Sequence, residues 1–220
     1  MSSSAKIIQL RELLAARGFA TVARQPARLL AGWPALDAAA GDGLPKGDIT
    51  ELHCARHGGA LAVAQLLEAA QRARHFVALI DGSDGFEPAS VEAEALARLL
   101  WVRCHGAVEA VRAADLILRD GNLPLVLMNL RGCADAARVP SQAWYRLQRI
   151  VEQSGAALLV LTPRPMIPSA RVRVALHRTF TLDDLESDRA ELVETLTFET
   201  GRVQGARLFS EDEPQLAEVG

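Results

Sequence analysis

Apolar and polar positions recur along the chain with two periods, and these periods predict its elements. Helical spacing of apolar residues predicts helices over residues 4–17, 60–74, 88–98, 106–120 and 141–153. Short apolar runs between them predict strands over residues 49–53, 76–80, 99–103, 123–130 and 157–161. Strands that are apolar throughout and alternate with helices are typical of a mostly parallel sheet covered by helices on both faces. The pattern therefore predicts an α/β fold.

The pattern changes near the C-terminus. Apolar residues alternate with basic ones over residues 171–177: Val172, Val174 and Leu176 against Arg171, Arg173 and His177. Residues 191–199 alternate in the same way, so two half-buried strands are expected to form an antiparallel hairpin at one edge of the sheet. We divide the chain into an N-terminal helix and linker (1–27), a core (28–185), and an edge strand with an acidic tail (186–220).

Composition excludes some classes of protein. The chain of 220 residues is 50% hydrophobic and 23% charged, which excludes disorder over most of its length. The net charge of −3 hides an uneven distribution, because residues 1–182 hold 21 basic and 16 acidic residues, whereas residues 183–220 hold 3 and 11. This mildly basic body carries no strong electrostatic signature of nucleic-acid binding, so we expect at most weak or indirect contact with DNA.

Cysteine content and hydropathy bear on the compartment. Three cysteines, Cys54, Cys104 and Cys133, lack the spacing of a disulfide framework and favour a reducing environment. No signal-peptide pattern is found, and no apolar run approaches the roughly 18 residues of a membrane span. These observations predict a cytoplasmic protein with no membrane contact.

The loop after the first core strand is where a parallel sheet of this kind places a phosphate site. It contains Arg56, His57, Gly58, Gly59 and Ala60. A phosphate-binding loop ends in glycine, lysine and a hydroxyl residue, so that backbone amides, an ammonium group and a metal-bound hydroxyl converge. Here Gly59 stands in the lysine position and Ala60 in the hydroxyl position. The loop therefore predicts a degenerate phosphate site and no nucleotide cofactor.

The surrounding sequence resembles RecA. The resemblance begins at "GWPALDAAAGDG" (32–43), continues through "LPKGDITELHCARHGGALAVAQLLEAAQRARHFVALIDGSDGFEP" (44–88), and extends through "LLWVRCHGAVEAVRAADLILRDGNLPLVLMNL" (99–130). It covers roughly residues 28–180 and implies a RecA-like core. By the same resemblance, Ser83 replaces the glutamate that activates water, and Asn129 replaces the aspartate that coordinates the metal. Four requirements of ATP hydrolysis are missing together, so no ATPase activity is expected.

The resemblance also bears on DNA and on partners. The segments matching the two DNA-binding loops of RecA are short, and the later one, residues 163–169, contains three prolines. The chain is therefore similar to degenerate RecA-like proteins of the ImuA type, related to the SulA type. This similarity implies a scaffold in the SOS response that binds a Y-family polymerase homologue (ImuB type), with RecA as a further partner, to assemble a translesion synthesis complex. The alternative is a SulA-type inhibitor of the division GTPase. A rearranged ATPase would need Lys6 or Lys46, the only lysines.

Three groups of residues remain open to two interpretations. Arg164, Arg171, Arg173 and His177 form a basic strip that could contact DNA or an acidic partner, or be a solvated strand face. The apolar stripe of the N-terminal helix, with Ile7, Leu10 and Leu14, suits either a partner's groove or its own core. We favour loop packing over zinc binding for the thiols and imidazoles near the strand ends, because they show no paired metal-ligand spacing: His53, Cys54, His57, Cys104, His105 and Cys133.

Overall fold

The chain forms a three-layer α/β structure in a computed structural model that describes residues 27–54, 58–178 and 180–203. Its strands are β1 (Arg28–Leu29), β2 (Leu44–Pro45), β3 (Asp48–Cys54), β4 (Val77–Asp81), β5 (Leu99–Arg103), β6 (Leu125–Asn129), β7 (Ala157–Thr162), β8 (Val172–His177) and β9 (Thr197–Val203). Its α-helices are α1 (Pro34–Ala39), α2 (Gly59–Arg72), α3 (Ala93–Leu96), α4 (Ala107–Asp120), α5 (Ser141–Ser154) and α6 (Arg189–Glu194).

Seven strands form the main sheet in the order β5-β4-β6-β7-β3-β8-β9. Every neighbouring pair is parallel except β8 with β9, which is antiparallel. The mostly parallel sheet and its antiparallel edge confirm the predicted fold class, and the arrangement is consistent with a RecA-like fold. Strand β7 lies between β3, which leads into the degenerate phosphate loop, and β6, which ends at Asn129.

The core has two layers, one on each face of the sheet. In β6, Leu125 and Leu127 contact the layer that includes α2, whereas Val126 and Met128 contact the layer of α4 and α5. Because both faces are covered, successive residues of the central strands are buried, which explains why these strands are apolar throughout.

Two predicted elements differ from the structure. The helix expected over 88–98 is a 3₁₀ turn at Pro88–Ser90 followed by the single turn of α3. The strand expected over 191–199 begins only at Thr197, because residues 189–194 form α6. There Leu192 and Val193 are half-buried, and Val193 packs against the core. The antiparallel edge is thus formed by two strands joined through residues 178–196 and is not a tight hairpin.

Several predicted features lie outside the described residues: the helix over 4–17 with Ile7, Leu10 and Leu14, the loop residues Arg56 and His57, and the polar tail from residue 210. Over the part of the chain that is described, no helix has the length and hydropathy needed to cross a membrane.

Candidate functional site

The carboxyl end of β3 leads to the start of α2, where the sequence places a degenerate phosphate loop. Gly58 is the N-cap of α2 and has φ +86°, and no side chain caps the helix. A Cβ atom at Gly58 would lie 3.1 Å from Leu196 Cδ2 and 3.4 Å from Leu176 Cδ2. Gly58 is therefore packed against apolar side chains from β8 and from the residue that precedes β9.

Arg131 lies on the other side of this helix start. A Cβ atom at Gly59 would lie 2.0 Å from Arg131 Cζ and 2.1 Å from its Nη1, so the guanidinium group rests directly on the glycine backbone. Only glycine leaves room for this contact. The position that lacks a lysine thus has an arginine from the segment after β6 packed against it.

Residues predicted from separate motifs meet around one cleft. Ala60, Ser83, Asn129 and Arg131 all line a cleft of about 370 Å³ at the carboxyl end of the sheet, together with residues of the segment 83–90. The structure therefore brings together three of the residues at which the sequence departs from a nucleotide site. The described residues of its wall supply hydroxyl, amide and guanidinium donors and one carboxylate, Glu87, and none of them is a lysine.

Asp81 lies beside Asn129 in the register of β4 and β6. It is fully buried, and its Oδ2 accepts a hydrogen bond from the Phe86 backbone N–H at 2.7 Å. Asp81 Oδ1 has no partner among the described residues. This carboxylate holds the segment 83–90 in place and is closed off from solvent.

A buried ion pair fixes the turn after β7, residues 163–169. Glu51 is fully buried, and its Oε2 accepts from Arg173 Nε at 2.6 Å. Glu51 Oε1 accepts from Thr162 Oγ1 and from the backbone N–H groups of Met166 and Ile167 at 3.1, 2.6 and 3.2 Å. Arg173 Nη2 also donates to the carbonyl of Ile167 at 2.9 Å. The turn after β7 is therefore tied to β3 and β8.

Two of the three arginines of the basic strip are in ion pairs. Arg171 pairs with Asp48 at 3.2 Å, and His177 Nε2 lies 3.1 Å from Glu199 Oε2, a contact that becomes an ion pair when the imidazole is protonated. Arg173 belongs to the buried pair with Glu51, and Arg164 is exposed on the segment 163–169, outside these pairs. The structure thus places Arg171 and Arg173 within the scaffold of the sheet edge.

Burial shifts the pKa of the three thiols and of one imidazole near the strand ends. It raises the pKa of Cys54 and Cys133 to about 11, raises the pKa of Cys104, and lowers the pKa of His53. Among the described residues, no three acidic, histidine or cysteine side chains are grouped so as to hold a metal ion.

Two site residues were missed by sequence reasoning. A signal existed for Glu51, because a charged residue inside an apolar strand that is buried on both faces needs a partner. Arg131 had no comparable signal, since it lies in a connecting segment and its contact with Gly59 depends on the fold.

The fold is a mostly parallel α/β sheet that is consistent with a RecA-like fold, and Arg131 packs on Gly59 at the start of α2. No protein family model matches the chain, and no curated protein matches it.

Proposed function

We propose that the protein is a non-catalytic RecA-like scaffold of the bacterial SOS response. In this role it binds a Y-family polymerase homologue, with RecA as a further partner, and assembles a translesion synthesis complex. The observation that carries the proposal is the nucleotide edge, where Arg131 packs on Gly59 in the space that a phosphate loop leaves for its lysine and phosphates.

The composition of this edge argues against ATP hydrolysis. Phosphoryl transfer needs cations that neutralise the phosphates, carboxylates that hold Mg²⁺ and a group that positions water. Asn129 and Ser83 carry no carboxylate, Asp81 is fully buried, and Glu87 is the one carboxylate among the described residues that line the cleft. Lys46 precedes β3 and lies at the opposite end of that strand from α2. A rearranged site served by Lys46 is therefore not favoured.

The fixed turn after β7 argues against RecA-like binding of DNA. A loop that wraps DNA needs length and freedom to move, whereas Met166 and Ile167 donate backbone hydrogen bonds to the buried carboxylate of Glu51. Arg171 and Arg173, which follow this turn, are already paired, and Arg164 is the exposed arginine within it. Contact with DNA is accordingly weak or passes through a partner.

Co-expression of the full chain with a Y-family polymerase homologue tests the proposal. We expect the two proteins to co-purify at equal stoichiometry, whereas a replicative polymerase subunit prepared in the same way does not co-purify. Calorimetry with Mg²⁺-ATP should detect no binding. If both proteins are folded and do not associate, the proposal is wrong.

The same preparation distinguishes the alternative function. The protein should leave the polymerisation of the division GTPase unchanged in a sedimentation assay. Inhibition of that polymerisation, without binding to the polymerase homologue, would establish the division inhibitor in place of the scaffold.

A further inference from the structure

Arg131 is a cation held in an electrostatically unfavourable place. Its half-buried guanidinium group rests on Gly59 at the start of the 14-residue helix α2. A helix N-terminus carries a partial positive charge of about half an elementary charge, so it stabilises anions and repels cations. Within the described residues, the guanidinium group of Arg131 forms no ion pair and no hydrogen bond. The guanidinium group and the positive end of the helix thus lie together, and Glu87 is the acidic side chain that lines the same cleft.

Asn129 supplies an independent second donor at the same place. Its side chain is nine-tenths buried and lines the cleft beside Arg131. Asn129 Oδ1 accepts from the Arg131 backbone N–H at 3.3 Å, whereas its Nδ2 donates to no acceptor in the part of the chain that is described. Asn129 Nδ2 is not closed off from solvent, so it is free to donate to an acceptor inside the cleft.

The other walls of the cleft limit what it can accept. Ser83 and Ser90 add hydroxyl groups, and Val63 and Phe86 add apolar surface. Glu87 also lines the cleft and adds a negative charge that Arg131 does not pair with. Since Glu87 already lies at this wall, the guanidinium group and the helix start can accept at most one further negative charge, whereas a triphosphate would bring about four charges towards Glu87 with no carboxylate set to hold Mg²⁺.

We propose that this cleft binds the carboxylate of an aspartate or glutamate side chain presented by a partner protein. The carboxylate would accept from the guanidinium group of Arg131, from Asn129 Nδ2 and from the uncapped N–H groups at the start of α2, while apolar neighbours in the partner's segment contact Val63 and Phe86. A planar guanidinium group suits a carboxylate well because it donates two parallel hydrogen bonds. This deepens the proposed scaffold function by assigning its former nucleotide edge to protein recognition.

The test uses the full-length protein labelled with ¹⁵N and a blocked peptide, acetyl-Gly-Asp-Leu-Gly-amide, as the probe. We expect saturable shifts of the Gly59 and Ala60 backbone amides and of the Asn129 side-chain amide. The peptide with asparagine in place of aspartate should bind at least tenfold more weakly. Affinity for the aspartyl peptide should also fall as salt is raised, because the contact is between charges.

Variants separate the site from general charge effects. Arg131→Gln should weaken binding of the aspartyl peptide at least tenfold, whereas Arg138→Gln, an exposed arginine in the same connection, should leave it unchanged. Equal binding of the two peptides, no binding of either, or unchanged binding by Arg131→Gln would overturn the proposal. So would Mg²⁺-ATP or inorganic phosphate shifting the same amides at lower concentrations than the peptide.

A second variant keeps the test valid if Arg131→Gln does not fold. Gly59→Ala displaces the guanidinium group from the helix start and should also weaken the aspartyl peptide at least tenfold. The inference rests on the proposed scaffold function, yet the two fail separately. Loss of peptide binding with intact co-purification of the polymerase homologue removes only the carboxylate site, and the reverse result removes only the choice of partner.

Discussion

Glu51→Gln is the substitution that best tests how the turn after β7 is held. Glu51 is fully buried and accepts four hydrogen bonds, three through Oε1 and one through Oε2. Glutamine can keep the oxygen on the Oε1 side. It then presents an NH₂ donor to Arg173 Nε, which lies only 2.6 Å from Oε2 in the wild-type protein.

The structure sets the expected magnitude. Removing one partner of a buried ion pair costs about 3–5 kcal/mol, because the remaining charge is left without compensation. Arg173 keeps 20% of its side chain exposed and keeps its bond to the Ile167 carbonyl, so the lower end applies. We expect Glu51→Gln to lower the free energy of unfolding by about 3 kcal/mol.

Urea unfolding followed by circular dichroism measures this loss, provided that the slope with denaturant stays unchanged. Asp48→Asn is the matched control, because Asp48 at the start of β3 pairs with Arg171, which directly precedes β8, but with 35% of the arginine side chain exposed. Partly exposed pairs contribute about 0–1 kcal/mol, so the control should lose no more than that. A loss for Glu51→Gln below 1 kcal/mol, or equal to that of the control, would refute the reasoning.

Three further predictions concern the helix starts and the thiols. Gly59→Ala should keep stability or raise it by up to about 1 kcal/mol, because only the flexible end of Arg131 must move; a larger loss in urea unfolding would contradict this. Asp135 caps α4, and its bond from the Ala107 backbone N–H holds its pKa below the usual range. The ionised carboxylate of Asp135 therefore stabilises the folded state above a pH of about 4, and this contribution is lost as pH falls through the depressed pKa. Asp135→Asn should make the free energy of unfolding fall less steeply below that pH. An unchanged fall in the variant would contradict this prediction. Burial raises the pKa of Cys54 and Cys133 to about 11, so both thiols of the folded protein should react slowly with a thiol reagent at about pH 8. In urea both should react completely. Rapid labelling of the folded protein would contradict this prediction.

The sheet was predictable because its signal is local. The central strands are buried on both faces, so each is a continuous apolar run, and their alternation with helices leaves few topologies. β5 was predicted over its full extent, Leu99–Arg103, and α5 was predicted to within one residue at its end. Both elements have flanks that are clearly polar or contain glycine or proline.

The segment around α6 was not predictable from its period. Residues 191–194 contain two apolar residues between acidic ones, which fits one turn of helix as well as a strand. The choice depends on long-range contacts. Arg189 pairs with Glu68 of α2 at 2.9 Å, and Val193 packs on the core, so the segment lies against α2 as a helix. Such contacts are invisible in a window of ten residues.

The sequence predicted departures from a phosphate site, but it did not predict the contact of Arg131. Gly59 was predicted to stand in the position of a lysine, and only the fold reveals that Arg131 lies against it. A lysine at position 59 would place its Cβ about 2 Å from the guanidinium carbon, so the end of Arg131 would have to move, and the two cations would share the same helix start. Two like charges about 4 Å apart repel by about 4 kcal/mol at an effective dielectric constant of 20, so the arginine and the lysine disfavour each other there. Restoring lysine alone would therefore not rebuild a phosphate site, because Arg131 must also leave and the carboxylates missing at Ser83 and Asn129 must return.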